Sequence, residues 1–240
     1  MEKPSFYTGE KAQLREDFFR GEPSTPSLMN DLFFGLIYNQ TPPRARILDI
    51  GTGNAFILEQ LARRYPGQYG GLLGVDISPS MLEKARARVL GLGVELVLGD
   101  NLALPFNSSS FEAVTAKNVT TFSEQEVYRV LKQKGKFFFR EYGSGKGLKE
   151  IANLFRGRLI RAREPSFYLQ RFESAGFKNL SLRELEIMRE YSFEEVLQII
   201  QMFPFLEVVT EEERCRVKDY FGKQGKAKIT SDQIIIIGEK

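Results

Sequence analysis

The sequence predicts an α/β fold in which helices pack against a largely parallel sheet. Short apolar segments alternate with helical patterns, a glycine-rich turn joins one apolar segment to the next helix, and acidic residues recur where apolar segments end. Parallel neighbours in a sheet need a crossover connection, which is usually a helix. The carboxyl ends of such strands meet at one edge of the sheet, and ligand sites form there.

The clearest βαβ pattern covers residues 46–76. An apolar strand with Asp49 near its end leads into a glycine-rich turn, a helical pattern and a second apolar strand that ends in Asp76. Gly51 and Gly53 lack a Cβ atom, so the chain can turn sharply and a ligand can lie against bare backbone. The amides near the start of the helix should favour a carboxylate or a phosphate.

Asp76 indicates a ligand that carries a nucleoside. It follows Gly53 by about 23 residues and ends the second strand, which is the usual place for a carboxylate that accepts both hydroxyls of a ribose. A dinucleotide fingerprint would place Gly or Ala at position 56, where this chain has Phe56. The spacing of the small residues therefore disfavours a dinucleotide.

Composition excludes several kinds of active site. The chain of 240 residues has no histidine and one cysteine, Cys215, so a zinc site, a Cys/His nucleophile and an internal disulfide are excluded and we predict no metal site. The net charge of +3 is too small to indicate nucleic acid. Without an apolar signal segment or a membrane-spanning stretch, we expect a cytoplasmic protein with no membrane partner.

The turn reads D-x-G-x-G-x-A from Asp49 to Ala55 and resembles the first motif of class I S-adenosylmethionine-dependent methyltransferases. The runs GVDISPSMLEKARARV and VELVLGDNLALPF resemble the second and third motifs of this family. The resemblance covers residues 44–142 and implies S-adenosyl-L-methionine as the cofactor. It also implies an α/β, Rossmann-like, seven-stranded mixed sheet in the order 3-2-1-4-5-7-6, with helices on both faces and the seventh strand reversed.

The family motifs carry cofactor contacts onto particular positions of this chain. The resemblance implies that Asp76 binds the ribose, that Ile77 packs on the adenine face and that Asp100 accepts the adenine amino group. An aspartate at a strand end is also a common turn former, and this structural alternative applies most directly to Asp100. The predicted cofactor-binding residues are Asp49, Gly51, Gly53, Asp76, Ile77, Met81, Asp100, Asn101 and Lys117.

Local patterns between these motifs predict two further elements. Ser78 is a good N-cap, and Pro79 suits the first position of the helix that follows it. Residues 94–98 are apolar except for Glu95, which predicts a third strand. No catalytic residue is assigned, because a general base is needed only if the acceptor must lose a proton. The nearest candidates for such a base are Glu141, Tyr142 and Lys117.

The flanking segments are expected to form helical caps. Residues 1–43 are predicted to be an N-terminal cap, and residues 44–240 are predicted to be the methyltransferase domain, in which residues 187–230 form a helical insertion before the last strand. In the first cap, Ser27 should begin a helix that continues through Asn39 and whose apolar face contains Leu28, Leu32, Leu36 and nearby aromatic residues. Packing against the sheet and a role as a lid are both open for this cap.

Three hypotheses about function stay open. The pattern resembles the small-molecule, type 11-like branch with the aliphatic and quinone methyltransferases, which implies methyl transfer by direct displacement to a small-molecule or carrier-bound acceptor. The basic segment Arg156–Arg163 favours a tRNA or other RNA methyltransferase instead, although a solvated helix face also explains such a segment. A cofactor-binding module without catalysis is the third hypothesis. The chain gives no expectation for oligomeric state.

Overall fold

The computed structural model describes residues 25–119, 121–159, 163–202, 209–221 and 226–240. The strands within these ranges are β1 (Arg46–Ile50), β2 (Gly71–Asp76), β3 (Val94–Leu98), β4 (Phe111–Lys117), β5 (Leu131–Tyr142), β6 (Lys178–Tyr191) and β7 (Ala227–Glu239). In this part of the chain they form one seven-stranded sheet in the order β3-β2-β1-β4-β5-β7-β6, which confirms the order that the family resemblance implies.

Helices lie on both faces of this sheet, as the predicted fold class requires. The described helices are α1 (Thr25–Gln40), α2 (Phe56–Arg64), α3 (Pro79–Arg88), α4 (Glu124–Val130), α5 (Lys149–Leu154), α6 (Pro165–Ser174), α7 (Phe193–Gln201) and α8 (Glu211–Phe221), with a 3-10 turn at Arg156–Arg158. None of these helices is long and apolar enough to span a membrane.

The register of the parallel strands brings the predicted site to one edge. Strand β1 pairs in parallel with β2 on one side and with β4 on the other, so that Ile50 lies opposite both Val75 and Ala116. Strand β3 pairs in parallel with β2. Consequently the glycine turn that follows β1, the carboxylate at the end of β2 and Lys117 at the end of β4 share the carboxyl edge of the sheet.

Strand β7 is the reversed strand. At the start of β5, the Lys134 N–H donates to the Lys240 carbonyl over 2.9 Å, and the Lys240 N–H donates to the Gly135 carbonyl over 3.0 Å. At the other end of β5, the Gly143 N–H donates to the Asp232 carbonyl over 3.3 Å. Since the beginning of β5 meets the end of β7, the two strands are antiparallel, as predicted.

The chain divides into two compact units, each with its own hydrophobic core. The sheet unit comprises residues 30–141, 165–183 and 234–240, and the flanking unit comprises the described residues among 1–29, 142–164 and 184–233. The core of the sheet unit is rich in phenylalanine, with Phe111, Phe137, Phe139, Phe172 and Phe177 buried. The core of the flanking unit includes Ile151, Phe155, Val196, Ile200, Val217, Phe221 and Ile229.

The expectation that Ser27 caps helix α1 is wrong, because the helix already includes Thr25. The predicted apolar face is correct at Leu36, which is buried, and wrong at Leu28, which is 69% exposed. The nearby aromatic residues Phe33 and Phe34 are fully buried, and their large apolar area favours this orientation of the helix. Residues 1–24 of the predicted cap lie outside the described residues, and the proposed domain boundaries stay a prediction.

Phe137 offers a test of the sheet-unit core. It is fully buried, and its ring centroid lies 5.2 Å from that of Phe172 and 5.8 Å from those of Phe122 and Phe177. Phe137→Ala should lower the free energy of unfolding by about 3–5 kcal/mol, because a large cavity would open. Urea denaturation measures this. Leu90→Ala, at a side chain that is 84% exposed, is the control and should change stability by about 0.5 kcal/mol or less. A loss below about 1 kcal/mol for Phe137→Ala would contradict the packing.

Candidate functional site

The glycine turn carries the chain from β1 into α2 through three residues with left-handed backbone. Gly51, Gly53 and Ala55 have φ angles of 58°, 55° and 58°. A Cβ atom at Gly51 would lie 2.8 Å from a methyl group of Val119, and one at Gly53 would lie 3.3 Å from the Met81 methyl group. Both the backbone angle and the limited space therefore require glycine at position 51.

The side chain of Asp49, in β1, holds the glycine turn in place through hydrogen bonds. Its Oδ2 accepts a hydrogen bond from the Thr52 hydroxyl over 2.8 Å, and its Oδ1 accepts one from the Thr115 hydroxyl over 2.7 Å. Burial raises the pKa of this carboxyl group to about 6, although the two hydroxyls and the charge of Lys117 oppose the rise. Both oxygens of Asp49 thus bind protein groups, and the side chain joins the turn to β4.

Asp76, at the end of β2, also holds the glycine turn in place. Its Oδ2 accepts a hydrogen bond from the Gly53 N–H over 2.8 Å, and its Oδ1 accepts one from the Ser78 N–H over 2.9 Å. Ser78 is the N-cap of α3, as predicted, and its hydroxyl accepts from the Met81 N–H over 3.3 Å. Each carboxylate oxygen can accept more than one hydrogen bond, so Asp76 retains capacity for a ligand.

Protein acceptors already bind several amides of the turn. The Gly51 N–H donates to Asn101 Oδ1 over 3.2 Å, and the Thr52 N–H donates to the Val75 carbonyl over 3.0 Å. The Gly53 N–H is bound by Asp76, and the Ala55 N–H donates to the Thr52 carbonyl over 2.9 Å. These four amides of the turn are therefore bound within the protein, and the expectation that amides near the start of α2 favour an anion stays a prediction.

The ends of β2 and β3 carry the side chains predicted to surround a base. Ile77 is 66% exposed directly after the Asp76 carboxylate. Asp100 is exposed, and its Oδ1 accepts a hydrogen bond from the Leu102 N–H over 2.9 Å, so the turn-forming alternative also describes it. Asn101 connects this loop to the glycine turn through Gly51.

Lys117 ends β4 beside the start of α2. Its Nζ lies 5.3 Å from the centroid of the Phe56 ring, within the range of a cation–π interaction. The same ring has its centroid 6.1 Å from that of Phe34, and the Arg88 guanidinium carbon lies 6.0 Å from it. Phe56 therefore fills the position where a dinucleotide site has a small residue, and its ring contacts cations.

Comparisons with a family profile, with protein sequences and with solved structures agree on one family. A family profile described as a methyltransferase domain matches residues 47–135. A ubiquinone/menaquinone biosynthesis C-methyltransferase (UbiE) from Zymomonas mobilis is 33% identical over 171 residues, which cover 61% of this chain and 69% of that protein. The chain belongs to the class I S-adenosylmethionine-dependent methyltransferases.

Other similarities agree with this family but differ in extent. UbiE from Desulfotalea psychrophila is 39% identical over 101 residues, which cover 40% of this chain and 40% of that protein. This chain thus spans about two fifths of the length of that relative. Phosphoethanolamine N-methyltransferase 2 from Haemonchus contortus, solved with S-adenosyl-L-methionine, superposes with a TM-score of 0.63 at 19% identity, over 99% of this chain and 58% of that protein. At this identity the superposition supports the fold alone.

The structure brings the predicted residues of the family site together in pairs. Hydrogen bonds join Gly51 to Asn101 and Gly53 to Asp76. Met81 borders the turn, because its methyl group would lie 3.3 Å from a Cβ atom at Gly53. Ile77 and Asp100 extend from neighbouring strand ends, since Asp76 pairs with Leu98 in the sheet. Their contacts with a cofactor stay a prediction.

Three residues that hold the site in place were not predicted from the sequence. Thr52 and Thr115 bind the buried Asp49 carboxylate. Gly74 lies under the turn, where a Cβ atom would come within 2.9 Å of both Leu58 and Thr52. A hydroxyl residue inside an apolar strand and a glycine inside a strand are the signals that could have indicated these positions.

The basic segment 156–163 lies in the flanking unit. Arg158 contacts both carboxylate oxygens of Glu213 at 2.5 Å, and Arg156 donates to Asn153 Oδ1 over 2.9 Å. Arg161 lies outside the described residues. The contact with Glu213 compensates the charge of Arg158, which leaves less positive charge for phosphate groups than the sequence suggests.

The candidates for a general base are placed as follows. Glu141 and Tyr142 end β5 and are buried, with 4% and 7% of their surface exposed. Lys117 is partly buried at the end of β4. Within the described residues, no group of three or more His, Cys, Asp or Glu side chains is arranged to hold a metal ion.

The raised pKa of Asp49 predicts a pH dependence of stability. The folded-state pKa of about 6 exceeds the ordinary value of 3.8, so ionisation of Asp49 destabilises the fold. This cost is absent below pH 3.8, grows as the pH rises and reaches about 3 kcal/mol above pH 6. Asp49→Asn should lose less stability than the wild type over this interval, as measured by urea denaturation at each pH.

The control for this experiment is Asp219→Asn, at an exposed aspartate of α8. This variant should follow the wild-type dependence on pH. If Asp49→Asn and the wild type lose stability in parallel between pH 4 and pH 6, the buried carboxylate does not have the proposed energetic role.

Proposed function

We propose that this chain is an S-adenosylmethionine-dependent methyltransferase that acts on a small-molecule or carrier-bound acceptor. The observation that carries the proposal is the double role of Asp76, whose carboxylate holds the Gly53 N–H and the Ser78 N–H at the carboxyl edge of the sheet. The family membership of the chain supports the proposal independently.

The residues at this edge fit the parts of the proposed cofactor. The remaining lone pairs of Asp76 suit the two neighbouring hydroxyls of a ribose. The exposed side chain of Ile77 offers an apolar surface for a purine, and Asp100 has a carboxylate oxygen that can accept from an exocyclic amine. Gly53 lies beside these groups, and a Cβ atom there would lie 3.3 Å from the Met81 methyl group.

The bound cofactor would supply a methyl group on a sulfonium, with a neutral thioether as the leaving group. The tasks of the protein are then to hold the acceptor in line and to exclude water. Neither task needs histidine, which this chain lacks. Glu141, Tyr142 and Lys117 stay candidates for removing a proton, and an acceptor that is already an anion would require none of them.

A small acceptor agrees better with the observations than RNA does. The relatives in the comparison carry names from ubiquinone and menaquinone biosynthesis, which concern small molecules. In the basic segment, Arg158 forms an ion pair with Glu213, which reduces the positive charge that RNA phosphates could contact. We also propose a cytoplasmic location, because the chain has a single cysteine, Cys215, which is exposed. The domain organisation predicted from the sequence is part of the proposal as well.

The function can be tested with labelled methyl groups. The protein should transfer label from S-adenosyl-L-methionine to the small-metabolite fraction of a cell extract. Label found only in RNA would contradict the proposed acceptor class. Binding of the cofactor without transfer to any fraction would support a non-catalytic module instead.

Asp76→Ala should reduce both cofactor affinity and transfer at least about 100-fold, because two hydrogen bonds to a charged group are lost. Calorimetric titration measures the affinity, and a melting curve shows whether the variant folds. Asp219→Ala removes an exposed aspartate outside this edge and should behave as the wild type does. Unchanged affinity in a folded Asp76→Ala protein would contradict the assignment of the ribose site.

A further inference from the structure

A carboxylate bound beside the glycine turn needs more positive charge than the four bound amides of the turn can supply. The proposed cofactor ends in an amino acid, and its carboxylate needs donors or a positive charge. The N–H groups of Gly51, Thr52, Gly53 and Ala55 donate to protein acceptors. Asp49 and Asp76 add negative charge nearby, so a carboxylate bound here requires a cation to offset them.

Lys117 is placed to supply that cation. Its neighbour Ala116 pairs with Ile50, the last residue of β1, so Lys117 stands beside the first residue of the turn. The charge of Lys117 also lowers the pKa of Asp49, which shows that the ammonium group and the base of the turn lie within electrostatic range. Lys117 is partly buried, and partial burial strengthens its attraction for an anion.

The ring of Phe56 lies beside the Lys117 ammonium group. Its ring centroid is 5.3 Å from Lys117 Nζ, and this ring belongs to the first residue of α2. A cation–π interaction at this distance favours a position of the ammonium group near the start of the helix, where the helix dipole also favours an anion. Ala55, the N-cap of α2, provides no side-chain hydrogen bond that would compete there.

The neighbouring arginines have other partners. Arg88 contacts Glu59 at 3.3 Å, and the side chains are 28% and 17% exposed. Arg64 contacts Asp31 at 2.5 Å. These ion pairs compensate part of the charge of both arginines. Lys117 borders the turn, because the preceding Ala116 pairs with Ile50.

We propose that Lys117 binds the α-carboxylate of the methyl donor and that Phe56 is a positioning residue for its ammonium group. This inference rests on the proposed function and specifies which part of the cofactor each side chain serves. It also gives Phe56 a positive role at the position where a dinucleotide site would have glycine. The site should then distinguish ligands by whether they carry this carboxylate.

Calorimetry with two matched ligands tests the proposal. S-adenosylhomocysteine carries the amino-acid carboxylate, and S-adenosyl-3-thiopropylamine keeps the amine but lacks the carboxylate. Lys117→Met should weaken binding of the first ligand about 10- to 100-fold and leave binding of the second within about twofold. Lys117→Arg should restore most of the affinity for S-adenosylhomocysteine, because the charge is retained.

Phe56→Leu tests the positioning role. This variant keeps an apolar side chain but removes the ring, so affinity for S-adenosylhomocysteine should fall about 3- to 10-fold with little change for the amine ligand. Arg88→Met removes another cation close to the same ring and is the matched control. It should leave both affinities within about twofold of the wild type.

The outcomes separate this inference from the proposed function. If the wild type binds neither ligand, the proposed function fails. If the wild type binds S-adenosylhomocysteine but a folded Lys117→Met protein loses affinity equally for both ligands, or for neither, the assignment of the carboxylate to Lys117 is overturned. If Phe56→Leu changes neither affinity, Phe56 has no positioning role.

Discussion

The hydrogen bond between the Asp76 carboxylate and the Gly53 N–H is the interaction on which the candidate site depends. It joins the end of β2 to the turn that leaves β1, over a distance of 2.8 Å. The second oxygen of the same carboxylate holds the Ser78 N–H at the start of α3. One side chain thus fixes the positions of two strand ends, a strained turn and a helix, all at the edge where a nucleoside is proposed to bind.

Asp49 complements this arrangement from inside the sheet. Its burial makes ionisation costly, and the hydroxyls of Thr52 and Thr115 offset part of that cost while they fix the turn. The turn is therefore held by one acidic residue on each side. Because the amides of Gly51, Thr52, Gly53 and Ala55 serve internal bonds, we propose that the Lys117 side chain supplies positive charge for a ligand carboxylate.

Local sequence patterns were sufficient for much of the fold. Strand β3 has the predicted bounds, and Ser78 caps α3 with Pro79 at its first position, because turn and cap preferences depend on neighbouring residues. The strand order followed from the family resemblance. The buried face of α1 was predicted correctly at Leu36 and incorrectly at Leu28, because tertiary packing decides which apolar residues of a helix reach the interior.

The residue types of the candidate site stand out in the sequence, but their hydrogen-bond partners do not. Asp76 and the two glycines stand out by type and spacing. The bond from the Gly51 N–H to Asn101 spans 50 residues of sequence, and the bond from Thr115 to Asp49 spans 66. Such contacts depend on which strands become neighbours and on side-chain direction across the sheet, and no local pattern encodes either.

Titration of the wild-type protein with S-adenosyl-L-methionine and with NAD, under the same calorimetric conditions, tests the central claim most directly. The structure predicts saturable binding of S-adenosyl-L-methionine at one site and no measurable heat with NAD, because Phe56 occupies the position that a dinucleotide site leaves open. Tight binding of NAD with no response to S-adenosyl-L-methionine would contradict the account.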